Sequence, residues 1–114
     1  MSNGFASEAR SLSEILAMYE AEGFTDQLGV RPGGRIICFS CRHEAAAEDF
    51  ELVSLSRLEG ASDPDDMLAV VALRCPSCGA KGTLVLNYGP EATEDDVDVL
   101  RRLEAVDKAR ENPT

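Results

Sequence analysis

The chain has 114 residues, with 21 Asp or Glu against 11 Lys or Arg, for a formal net charge of −10. Hydrophobic residues make up 44% and aromatics 5%, with no Trp, a composition that fits one globular domain with a modest core rather than a disordered chain. The charge argues against a general nucleic-acid binder, which presents Lys and Arg to phosphate, and against attraction to an anionic membrane.

Acidic residues exceed basic ones in 1–34, 35–89 and 90–114 alike, so no basic tail hides in the average. The N-terminal stretch MSNGFASEARSLSEIL has no basic region followed by an apolar run, so a secretory signal is not expected. No stretch approaches the roughly 20 apolar residues of a membrane span. The expected location is the cytoplasm.

Residues 7–23 carry Leu12, Ile15, Leu16 and Tyr19 at helical spacing. The pattern predicts an amphipathic helix, with Ser11 and Glu14 at capping-box spacing and Gly23 followed by Phe24 as a Schellman ending. Glu20 and Glu22 lie at the end where the helix dipole disfavours negative charge, so packing must hold this helix. Residues 25–34 read as a connector ending in the turn Arg31-Pro32-Gly33-Gly34. The segment 35–89 reads as a small β domain with strands at 35–38, 50–58, 67–74 and 82–88. Its loop 59–66, EGASDPDD, has turn composition. Residues 93–110 predict a second helix. Thr93 would be its N-cap, acids its first turn, and Val97, Leu100, Leu103 and Val106 its apolar stripe.

All four cysteines fall in two CxxC pairs, Cys38-Phe39-Ser40-Cys41 and Cys75-Pro76-Ser77-Cys78. Each pair can curl into a tight turn whose sulfurs converge on one ion. Two such turns supply the tetrahedral thiolate set of a closed structural Zn²⁺ site. In a reducing compartment metal ligation is the better reading than disulfides. Each pair follows a predicted strand and precedes another extended segment.

On these residues the region 35–89 resembles the zinc-ribbon family. Cys75-Pro76-Ser77-Cys78-Gly79 matches its CPxCG knuckle, whereas Arg42 stands in the first knuckle where Gly79 stands in the second, which predicts a less tight first turn. The resemblance implies a fold and one zinc per chain at Cys38, Cys41, Cys75 and Cys78. It implies no activity, because zinc ribbons serve different processes. The expected architecture is a single α+β domain over 1–114. A small antiparallel zinc ribbon of three or four strands would be flanked by the N-terminal and C-terminal helices.

Three readings follow. The first is a non-catalytic zinc-binding module for protein–protein interaction or regulation, its partner basic. The second is an iron electron carrier at the same cysteines, since the knuckles and acidic surface also resemble rubredoxin. That family is shorter and packs several aromatics, Trp included, around its metal; here only Phe39, Phe50 and Tyr88 are near. The third is a nucleic-acid-binding ribbon using a local basic face of Arg35, Arg42, Arg57, Arg74 and Lys81. A catalytic role is disfavoured. His43, the one histidine, precedes Glu44, but Ala47 occupies the second histidine position of HExxH. No nucleophile-elbow signature joins His43 to Ser40, Ser54, Ser56 or Ser77. Asp63, Asp65 and Asp66 lack the EF-hand pattern. A homodimer is left open by the two amphipathic helices.

Overall fold

The structure is a computed structural model that describes residues 12–58, 67–90 and 92–111. The elements in chain order are α1 (Leu12–Ala21), β1 (Asp26–Arg31), β2 (Arg35–Cys38), β3 (Glu44–Ala46), a 3₁₀ turn (Ala47–Asp49), β4 (Glu51–Leu58), β5 (Leu68–Arg74), β6 (Lys81–Asn87) and α2 (Glu94–Glu111). The strands form one sheet in the order β3-β2-β1-β6-β5-β4. It is two antiparallel meanders, β1–β3 and β4–β6, joined by a parallel seam between β1 and β6.

The α+β class and the flanking helices stand. Among the described residues the expected three or four antiparallel strands become six, one pair of them parallel. The connector read over 25–34 contains β1. Its Gly29 and polar residues hide a strand whose Leu28 joins the core while Val30 packs against it. β3 is not among the predicted strands either, for its three residues are too short to show a period. The turn at Pro32-Gly33-Gly34 is present, with both glycines at positive φ. Residues 7–11 of the expected N-terminal helix and the loop 59–66 lie outside the described residues.

The two helices cover opposite sides of the sheet. Ala69, Val71 and Leu73 of β5 join the cluster that includes Val99, Leu100 and Leu103 of α2. Val70 and Ala72 face Ile15, Tyr19 and Phe24 on the α1 side. That double burial explains the uninterrupted apolar run of β5. In β4 the register slips between Leu52 and Ser54. The bulge puts Leu52 opposite Leu73 on the α2 side, and Ser54 opposite Ala72 on the α1 side. Strict alternation would have placed Leu52 and Ser54 on one face. Turned toward α1, Ser54 and Ser56 hydrogen-bond the Tyr19 hydroxyl at 2.8 and 2.9 Å.

Both helix ends follow the expected chemistry. The Phe24 N–H donates to the Tyr19 carbonyl and the Gly23 N–H to the Glu20 carbonyl, each at 3.0 Å, the Schellman pair. Phe24 then packs edge-on against Tyr19. Lys81 reaches this end from β6 and donates to the Glu22 carbonyl at 3.3 Å. It supplies the positive charge that α1 lacks. In α2 the Asp96 N–H donates to Thr93 Oγ1 at 3.2 Å, so Thr93 is the N-cap. Among the described residues no helix is long and apolar enough to cross a membrane.

Candidate metal centre

β2 and β5 finish at the same end of the sheet, because β2 runs against β1, β1 runs with β6, and β6 runs against β5. Their last turns therefore deliver the two CxxC pairs to one place. Each turn is built the same way. The Cys38 N–H donates to the His43 carbonyl at 2.8 Å, and the Arg42 N–H to the Cys38 carbonyl at 2.7 Å. The Cys75 N–H donates to the Ala80 carbonyl at 2.8 Å, and the Gly79 N–H to the Cys75 carbonyl at 2.9 Å.

The fifth residue of each turn has a positive φ, 66° at Arg42 and 80° at Gly79. The expected looseness of the first knuckle is therefore not found. Arg42 adopts the left-handed conformation that glycine takes without cost, a strain of about 1 kcal/mol for an L-residue.

Four sulfurs converge. Cys38 Sγ lies 3.8 Å from Cys78 Sγ, and Cys41 Sγ lies 3.7 Å from Cys75 Sγ. All four lie within 4.8 Å of one another. A disulfide would bring two sulfurs to about 2.05 Å, and all four cysteines are free. A tetrahedron with metal–sulfur bonds of about 2.3 Å has edges near 3.8 Å, so the donor set fits one ion. Cys38 and Cys75 are buried at the sheet end, and Cys41 and Cys78 are exposed.

The electrostatics fit the same conclusion. At Cys78 the Ala80 backbone N–H favours the thiolate. Hydrogen bonding with Cys41, local desolvation by the crowded sulfurs, and hydrogen bonding with Cys38 and Cys75 outweigh it and push the thiol up to about 12. Thiolates this close repel unless a cation lies among them. The Ser77 N–H points at Cys75 Sγ at 3.4 Å, a backbone donor to a ligand-type sulfur.

Asp26, the first residue of the seam strand, links the flanks of the two turns. Its carboxylate accepts from Ser40 Oγ inside the first turn and from the Lys81 N–H just after the second, both at 3.2 Å. Nothing in the sequence marks this role, since Asp26 sits in a stretch that reads as a connector.

The other candidates fall elsewhere. His43 is outside the sulfur group and its ring rests near Phe50. Ser40 is bonded to Asp26, and Ser54 and Ser56 to Tyr19, so none of these three forms a nucleophile pair with His43. Of the expected basic face, Arg35 pairs with Glu44, Arg57 with Glu104, and Arg74 with Glu51. Lys81 lies over the Phe24 ring at 4.8 Å. Asp63, Asp65 and Asp66 lie outside the described residues. No protein-family model, curated protein or solved structure matches the chain.

Proposed function

We propose that the chain is a non-catalytic zinc-binding module whose Cys₄ site is structural and of zinc-ribbon type, and that it acts by binding another protein. The reading is carried by the four sulfurs of two equivalent turns, converged at the edge lengths of a tetrahedron. One Zn²⁺ per chain at Cys38, Cys41, Cys75 and Cys78 would fill its coordination sphere with protein sulfur, leaving no position for substrate.

The placement supports a structural role. Each meander contributes two ligands, and between the meanders the strands pair only at Asp26↔Gly82 and Gln27↔Thr83. An ion there would fasten the halves where backbone pairing is shortest. A reducing cytoplasm, which keeps thiols available to metal, suits such a site. The acidic surface supports a basic protein partner. The ion pairs of Arg35, Arg57 and Arg74 count against a phosphate-binding face.

Cobalt substitution tests the reading. The metal-free chain should take up one Co²⁺ with the intense thiolate-to-metal absorption of a tetrahedral tetrathiolate, and Zn²⁺ should displace it. Cys41→Ser should weaken that absorption. Cobalt bound without it would overturn the Cys₄ assignment. Protein purified red, with iron at the same sulfurs, would make the chain a rubredoxin-like electron carrier instead.

A further inference from the structure

The two sides of the sheet are covered unequally. On the α1 side the helix packs against Val70 and Ala72 of β5. Strand register places Thr83 and Val85 of β6, Gln27 and Gly29 of β1, and Ile37 of β2 on that same side. This strip is open: Val85 is 39% exposed. Phe39, from the first CxxC turn, folds over it with 52% of its surface exposed.

The Phe39 ring is held in place. The Phe39 backbone N–H donates to the Gln27 carbonyl at 3.1 Å. The ring rests on Gly29, where an added Cβ would meet it at 2.8 Å. Gly29 and Val85 each lie two residues beyond the paired Gln27 and Thr83, on neighbouring strands and on the same side of the sheet. A groove of about 380 Å³ opens between α1 and the start of β1, with Leu16, Phe24 and Leu28 in its wall and Glu20 and Asp26 among its polar lining.

Charge selects the occupant. Glu20 and Glu22 are exposed and enter no ion pair among the described residues; the Lys81 ammonium beside them is turned to the Glu22 carbonyl and the Phe24 ring, so acidic groups still outnumber it. Asp26 stands on the same edge, in a chain of net charge −10. A second copy would set this acidic edge and that net charge against themselves, whereas an oppositely charged ligand gains from both.

We propose that this strip and groove bind a basic, amphipathic segment of a partner protein. Its apolar side chains seat on Phe39 and Val85 and in the groove, and its Lys or Arg side chains meet Glu20, Glu22 and Asp26. The inference rests on the interaction-module reading and gives it a surface and a partner chemistry. The patch is small, so the contact is of the transient class.

The test titrates the full, natively purified chain with three synthetic peptides, followed by amide chemical shifts. One peptide is an amphipathic Lys/Leu twelve-residue segment. The second has Glu for Lys, and the third has Ser for Leu. The first should move the amides of Gln27, Gly29, Phe39, Thr83 and Val85. The Glu peptide should move none, and the Ser peptide should bind at least about tenfold more weakly, as should Phe39→Ala with the first peptide. Shifts centred on another face, or equal binding of the Ser peptide, would overturn the proposal. So would movement of these amides on dilution alone with a dimer seen in sedimentation, since the occupant would then be a second copy. A protein partner cross-linked to another face would overturn this surface and leave the interaction-module reading intact. The wild-type shift map keeps the test valid if a variant folds poorly.

Discussion

The two meanders make an instructive contrast. In β4–β6, strands of seven and eight residues pair along most of their length, and β5 is buried on both sides. In β1–β3 the strands shrink to six, four and three residues, and β3 is a half-buried edge. Yet both halves carry the same hydrogen-bonded CxxC turn, between β2 and β3 in one and between β5 and β6 in the other. The long half can rest on its own pairing and two helix contacts. The short half leans on α2, on the seam, and on whatever joins the two turns. Where backbone pairing is least, the chain has placed its metal-type donors.

The largest expected effect comes from breaking that joint. Removing the metal with a chelator should cost stability on the order of several kcal/mol, given apparent binding energies of about 10 kcal/mol or more for structural zinc. The loss should be uneven. Hydrogen exchange should show Ile36 and Ile37 losing protection well before Val70 and Val71. Uniform loss would mean that the halves fold as one unit regardless of the ion.

The seam itself comes next. Gly82 faces Asp26, and a Cβ there would run into the Asp26 carbonyl oxygen and approach the Leu28 side chain at 3.2 Å. Gly82→Ala should destabilise by about 1–3 kcal/mol, the usual cost of overpacking, as read by denaturant melts of the metal-loaded protein. A neutral result would show that the seam has slack.

The two turns allow a reciprocal exchange. At Gly79 the nearest atom to an added Cβ is Arg74 Nη2 at 3.9 Å, so space is available and only backbone strain opposes a side chain. Gly79→Arg should cost about 1 kcal/mol. Arg42→Gly should gain less, about 0.5 kcal/mol, because glycine also loosens the unfolded chain. Equal and opposite changes in the two melts would mean that the turns contribute alike.

The smallest effect is electrostatic. The Arg102 guanidinium bonds both oxygens of Glu48, at 3.0 and 2.9 Å, tying α2 to the 3₁₀ turn that follows β3. A backbone hydrogen bond at Glu48 itself, then Arg102, holds this carboxyl below its ordinary 4.5. Arg35 and Arg31 do the same for Glu44. Lowered carboxylates contribute stability above their unfolded value and lose it as pH falls through the lowered one. Arg102→Gln should therefore lower stability slightly at pH 8, and the difference from the native protein should vanish as pH falls below 4.5 through the lowered value. The solvent-exposed pair keeps the effect small.

Much of this design is legible in the sequence where local chemistry decides it. The Thr93 cap, the Gly23–Phe24 ending, the strand at 35–38 and the glycine turn at 33–34 each depend on a few neighbouring residues. So does the pairing of cysteines into two turns. What depends on partners far along the chain is not legible. β1 becomes a strand only because β2 and β6 flank it. The β4 bulge appears only when β5 sets the register, and Asp26 gains its role from Ser40 and Lys81. The first knuckle shows a further limit: Arg42 looks like the wrong residue for a tight turn, yet the surrounding hydrogen bonds hold it there.

Elemental analysis of the protein, purified natively without added metal or a histidine tag, tests the central claim most directly. The account predicts one zinc per chain, lost in parallel with binding capacity in Cys75→Ser. Metal-free protein with four titratable thiols, or with two disulfides, would contradict it.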